Sequence, residues 1–201
     1  MEFVHNKKVV PFNSNAGISH DLIQKLLDKG KLFGLTEVFL FPVEKIIVAE
    51  WVHLKCRYGC EQYNTNWCCP PVTPSIETVR DILKDYSKAV LLVGRKKLPD
   101  LHFKYQPKRA MQVRCWKGTV SLERMLFLEG YYKAFSLVGE SCGLCKTCAY
   151  PEDCKFPQEK RPSVESFSID IIGTLRNVGK TSLINSDINS EFNYYGIILV
   201  E

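Results

Sequence analysis

The chain is 201 residues long, 45% apolar and 24% charged, and carries a formal net charge of +5. Those proportions belong to a folded globular protein and exclude a disordered tail or a low-complexity fibre. Its uncharged apolar stretches stop well short of the ~20 residues a membrane-spanning helix needs, which excludes that class too. The length suits a single domain over 1–201 with room for a sizeable core.

In chain order, Ser19 is a good helix N-cap, and Leu22, Ile23, Leu26 and Leu27 follow at helical spacing, so a helix is predicted over 19–33 with Gly30 and Gly34 at its end. The β-branched and aromatic runs Val38–Pro42 and Ile46–Trp51 predict two strands joined by a turn after Pro42. A cysteine-rich loop is predicted over 56–71. Thr73 or Ser75 then opens a helix with Ile76, Val79, Ile82 and Leu83 on its apolar face, and Ala89–Gly94 reads as a buried strand.

Residues 96–114 read as an irregular exposed loop. A long helix is predicted over 119–138, with Leu122, Met125, Leu126, Tyr132 and Phe135 on its apolar face, running into a second cysteine-rich loop over 142–157. Arg161-Pro-Ser163 sets up another helix, with Val164, Phe167, Ile171, Leu175 and Val178 on one face and Gly179 as its stop. Tyr194–Val200 closes the chain as a strand. The interleaving predicts α/β or α+β: a mixed sheet with packed helices and cysteine-rich metal or cluster loops.

Eight of the nine cysteines fall in two tight groups, and Cys115 stands alone. Disulfide frameworks belong to short secreted chains, whereas the stretch from Met1 to Lys8 has neither an apolar core nor a small-residue cleavage site. The expectation is a cytoplasmic protein with reduced thiols that bind metal, and no membrane association. Cys142, Cys145, Cys148 and Cys154 have two, two and five residues between them, close to the way bacterial ferredoxins hold a cubane iron–sulfur cluster. Five residues before the last Cys, and a Pro at 157 instead of beside it, depart from that pattern. Zinc is the alternative, but its structural sites pair two short knuckles across a longer span, and three cysteines at consecutive two-residue gaps suit a cluster better.

The first group, Cys56, Cys60, Cys68 and Cys69, offers Cys56, Cys60 and Cys69 as ligands. Cys68 and Cys69 are neighbours whose side chains point opposite ways in an extended segment, so one of the two is expected to ligate. Three thiolates leave a coordination place for Cys115, His53, a thiol of the second group or a substrate. One or two [4Fe-4S] clusters fit the count. For Cys115 the expectation is a buried, unligated thiol.

Two tempting motifs fail. Cys56-x3-Cys60 begins like the cysteine loop of radical SAM enzymes, but Tyr63 stands where the third Cys should be. Gly179-Lys180-Thr181 resembles a phosphate loop, yet Gly173 lies one residue too far upstream. The scattered His5, His20, His53 and His102 name no catalytic base. Glu123, Glu129, Glu165 and Asp170 read as surface or capping carboxylates. Arg161 is the better candidate, as a guanidinium that would sit beside an anionic cluster and tune its potential. The basic stretch at Arg95-Lys96-Lys97 and from Lys104 to Arg114, with Phe103, Tyr105 and Trp116 among it, suits an acidic redox partner protein at least as well as a nucleic-acid backbone, and nucleic acid is the weaker reading.

Cys56-x3-Cys60 with Tyr63 and Cys69-Pro-Pro71, then Cys142-Gly-Leu-Cys145-Lys-Thr-Cys148 with Cys154, Pro157 and Arg161-Pro-Ser-Val-Glu165, resembles a family of small cysteine-rich proteins of anaerobic archaea and bacteria known only as predicted metal-binding proteins. The resemblance runs from about residue 20 to the last strand and includes Gly130–Phe135. It implies metal or iron–sulfur binding at these positions and no particular reaction. Cys68 is extra to its pattern. The leading expectation is therefore an iron–sulfur protein with a redox or electron-transfer role. The rivals are an enzyme that binds substrate at an open-coordination cluster and a zinc-stabilised binding module.

Overall fold

The structure, a computed structural model, describes residues 17–97, 105–184 and 191–201. Helix α1 (His20–Lys31) begins where Ser19 Oγ takes the Leu22 N–H at 3.1 Å, and it buries Leu22, Leu26 and Gly30 four residues apart on one face. Gly34, at φ +85°, turns the chain into β1 (Glu37–Pro42). The remaining elements are α2 (Glu50–Gly59), α3 (Ile76–Lys84), β2 (Lys88–Lys97), α4 (Tyr105–Leu128), β3 (Phe135–Leu137), α5 (Ile171–Asn177) and β4 (Glu191–Leu199). Ser75 caps α3 and Asp170 caps α5.

The strands form one sheet in the order β1-β2-β4-β3, antiparallel at every pairing, which places the fold in the α+β class. Val38 pairs with Leu92, Leu92 with Gly196, and Leu137 with Ile197. Both faces are covered. Val90 and Leu92 of β2 point into a core with Leu26 of α1 and Trp116, Leu122 and Leu126 of α4. Ala89, Leu91 and Val93 point into a second core with Val79 of α3, Leu175 of α5, and Phe167 and Ile169 from the segment before α5. Alternate residues therefore serve opposite layers, and β2 reads as an unbroken apolar run because neither face meets water.

Four expectations need correction. Ile46–Trp51 is not a sheet strand: Val48 makes one isolated bridge to Ile169, the Asp170 N–H bonds the Ile47 carbonyl at 2.8 Å, and the chain enters α2 at Glu50. Consequently Cys56 lies on a helix, and Cys60 caps it, where a loop was expected. Residues 105–114 are helical, because Pro107 falls in the first turn, where its missing N–H costs nothing, and Gln112, Cys115 and Trp116 then meet the core at helical spacing. That helix ends at Leu128, Gly130 adopts φ +102°, and Phe135 joins β3, so Tyr132 and Phe135 leave the predicted helix face. The helix predicted after Ser163 is broken at Ser168 (φ 56°) into a short 3-10 turn and α5, although Val164, Phe167 and Leu175 share one core.

α4 crosses the sheet closely. A Cβ on Gly94 would lie 2.9 Å from Cys115 Sγ, and one on Gly118 would lie 2.5 Å from Phe33 Cβ. Cys115 is 1% exposed, and burial pushes its thiol up to about 12. It packs as a small apolar residue, as expected of it. No helix among the described residues is long and apolar enough to cross a membrane.

Candidate metal centre

Two loops and one helix build the site. The loop after α2 holds Cys68, whose N–H donates to Asn66 Oδ1 at 2.9 Å. Asn66 is itself buried. The loop after β3 holds Cys142, Cys145, Cys148 and Cys154. Trp67 Nε1 donates to the Glu152 carbonyl at 2.8 Å, its ring meets Tyr150 edge-on, and Tyr150 donates to Asn64 Oδ1 at 3.1 Å, so the two loops are sewn together. From α4, Gln112 Nε2 donates to the Ser141 carbonyl at 2.5 Å, and Arg109 donates to the carbonyls of Cys142 and Cys145 at 3.1 and 3.4 Å. Trp116 Nε1 donates to the Glu159 carbonyl at 2.8 Å and fixes the chain where it leaves the loop.

These contacts frame a cavity of about 830 Å³ that is partly open to solvent. Cys68, Cys142, Cys145, Cys148 and Cys154 line it, with Arg109, Lys146 and Lys155. The Cys68 thiol donates to Cys142 Sγ, which pushes Cys68 up strongly, with burial adding to the rise. The same bond holds Cys142 down at about 6 against the opposing effect of burial, helped by the Leu144 N–H and the Arg109 guanidinium. The Phe156 N–H reaches Cys154 Sγ at 3.4 Å. The wall is thus a set of thiols with amide donors and cations aimed at them, the environment that stabilises anionic sulfur.

The second set of thiols adjoins the first. Burial, then the neighbouring Cys60 and Cys69 thiols and Glu165, push Cys56 up to about 11. Cys69 also rises to about 11, chiefly through burial and the nearby Cys60, against bonds from the Asn66 side chain and the Cys142 N–H. Cys56 donates to the Glu165 carbonyl at 3.9 Å. The Glu165 carboxyl is desolvated and raised, and its Oε2 is buried without a hydrogen-bond partner. Cys56, Cys60 and Cys69 are thus near enough to influence one another, and Cys69 also feels Cys142. Among the described residues, no three His, Cys, Asp or Glu side chains close on a single point at metal-ion range.

Arg161 is spent elsewhere. Its Nε and Nη2 grip the Glu123 carboxylate at 2.8 and 2.6 Å, and its guanidinium lies over Phe135 at 5.7 Å. It anchors the exit of the second cysteine loop to α4 and is not among the cavity's lining residues. Arg109 is the guanidinium that faces the thiols. Sequence reasoning missed it because 105–114 read as a loop; its spacing of three and seven residues from Gln112 and Trp116, on one helix face, was the available signal. Cys68, set aside as surplus, lies in the cavity wall. Asp170 is a cap, as expected, and His53 sits on α2. Of the basic stretch, Arg95 bonds Asn193 Oδ1 and Arg114 the Leu32 carbonyl. His5, His102, Phe103 and Lys104 lie outside the described residues, as does the side chain of Tyr105.

Comparison with curated proteins and with solved structures finds no match. A family model does match, described as "Predicted metal-binding protein (DUF2284)", over residues 40–200, a span that takes in both thiol groups and, of the strands, β2, β3 and β4 whole. The chain belongs to that family.

Proposed function

We propose that the protein is an iron–sulfur protein with a redox role, carrying a [4Fe-4S] cluster in the cavity. One observation carries the reading: five thiols from two distant segments surround a space far larger than one ion, with backbone N–H groups and Arg109 directed at them. A tetrahedral zinc ion draws four ligands to about 2.3 Å from one point, whereas a cubane takes its thiolates at separate corners. Cys142, Cys145 and Cys148 supply three corners, and the fourth comes from Cys68 or Cys154. When bound, such a cluster supplies one-electron transfer. The chain's own part is to exclude water on the core side, to hold the sulfurs through the Leu144 and Phe156 amides, and to offset negative charge with Arg109. Lys146 and Lys155 at the rim suit docking of an acidic redox partner, and the protein works in a reducing, cytoplasmic setting.

A second reading is favoured by Glu165. Cys56, Cys60 and Cys69 offer three thiolates beside a buried carboxyl with an unpartnered oxygen, an arrangement that fits a cluster with one iron free of cysteine. On that reading the first group would bind a substrate at that iron. Anaerobic purification with counts of iron, zinc and acid-labile sulfide tests both. Iron matched by sulfide, with visible absorbance bleached by dithionite, supports the cluster. Stoichiometric zinc without sulfide refutes it and leaves a structural metal.

A further inference from the structure

We infer that Cys68, and not Cys154, is the fourth ligand of the cavity centre. The inference rests on the iron–sulfur reading above and goes on to say which thiols hold the centre. Cys68 is 2% exposed and lines the same cavity as Cys142, Cys145, Cys148 and Cys154. Its N–H is fixed by the buried Asn66, within the turn that carries the thiol to the cavity wall. Its neighbour Cys69 is not among the cavity's lining residues.

Five thiols cannot all occupy the four corners of one cubane. Cys154 is the one least committed to the cavity. It is half-buried on a segment whose residues 151–153 and 155–157 are exposed, whereas Cys68 is 2% exposed. Its spacing, with five residues between it and Cys148 instead of three, also departs from the run that delivers a cluster ligand. Two-cluster ferredoxins likewise complete a CxxCxxC site with a cysteine from a distant part of the chain. Here that cysteine is Cys68. On binding iron, each of the four thiols gives up its proton to solvent and becomes a thiolate.

The test compares the full-length wild type with Cys68→Ala, Cys68→Ser, Cys154→Ala and Cys115→Ala, each purified anaerobically. Iron and sulfide are counted, and EPR spectra are recorded after dithionite reduction. Cys115→Ala controls for loss of a buried thiol in the same core. Cys68→Ala should lose about four irons and four sulfides relative to the wild type, the content of one cubane. Cys154→Ala and Cys115→Ala should match the wild type. Cys68→Ser keeps the volume and replaces sulfur by oxygen, so a ligand role predicts a shifted EPR spectrum, which a packing role would leave unmoved. Full iron in Cys68→Ala with an unshifted Cys68→Ser spectrum overturns the inference, and so does equal iron loss in Cys68→Ala and Cys154→Ala. A wild type without sulfide refutes the iron–sulfur reading itself, a separate outcome.

Discussion

Glu123→Gln probes how the cysteine loop is anchored. In the native protein the Glu123 carboxylate accepts Arg161 Nε at 2.8 Å, Arg161 Nη2 at 2.6 Å and the Ser136 N–H at 2.8 Å. The two side chains are 12% and 18% exposed, so solvent screens the pair only weakly. Removing one partner of a buried pair costs about 3–5 kcal/mol, because the other charge is left desolvated and uncompensated. Gln keeps the shape and one acceptor, and Arg161 retains its bonds to the carbonyls of Gln158 and Lys160, so the expected loss is at the low end, about 3 kcal/mol. For a domain of this size that is roughly 6–12 °C in melting temperature.

The pH dependence has a definite sign. Burial alone would raise the Glu123 pKa, but the bonds from Arg161 and Ser136 outweigh it and hold the carboxyl below its ordinary value. A carboxylate depressed in the folded state contributes stability that is fully present above its unfolded pKa and is lost as pH falls through the folded one. Urea unfolding of metal-free, reduced wild type and Glu123→Gln should therefore differ by the full amount at pH 7. The gap should close at acid pH, below the ordinary carboxylate range. A difference under about 1 kcal/mol at pH 7, the value of an exposed pair, would refute the reasoning. So would a gap that persists unchanged in acid.

Three further outcomes follow from the same geometry. Arg109→Met removes the guanidinium that holds the Cys142 and Cys145 carbonyls and should weaken metal retention about 10–100-fold in a chelator competition, with little change in the far-UV circular dichroism. Gly118→Ala should destabilise by about 1–3 kcal/mol in urea despite alanine's better helix propensity, because its Cβ would sit 2.5 Å from Phe33 Cβ; iron content should be unchanged. Chelation of the wild type should lower the melting temperature yet leave one cooperative transition, since the second core, from Phe41 to Leu199, contains none of the site's cysteines; hydrogen exchange should rise in the 56–71 and 142–157 segments first.

How much of this was legible in the sequence depends on what kind of signal each residue carried. Local signals were strong: Ser19, Ser75 and Asp170 cap their helices, and the apolar run at 89–94 is buried throughout. Signals that depend on a distant partner were weak. Ile46–Val48 has the composition of a strand, but its partner is the 168–170 segment, outside the sheet, and nothing local says so. Residues 105–114 looked solvated because their charges are all basic, yet Arg109 and Arg114 bond carbonyls of other segments. Arg161 was singled out for its place in the chain, yet its partner Glu123 lies 38 residues away and fixes it to α4.

Cys68 shows the limit most plainly. Spacing can say that a thiol belongs to a metal-binding segment, but not which centre it faces, because that depends on how two segments separated by more than 70 residues are brought together. The contacts that do so are ordinary ones: Trp67 to the Glu152 carbonyl, Tyr150 to Asn64, Gln112 to the Ser141 carbonyl. None involves a cysteine. If they fix the two loops before metal arrives, the thiols are held in place by a frame that does not need the metal, and loading costs little reorganisation. The helix that looked like a loop is then what makes the centre possible, since α4 supplies both Gln112 and Arg109 and is itself pinned against the sheet through the close approach at Gly94.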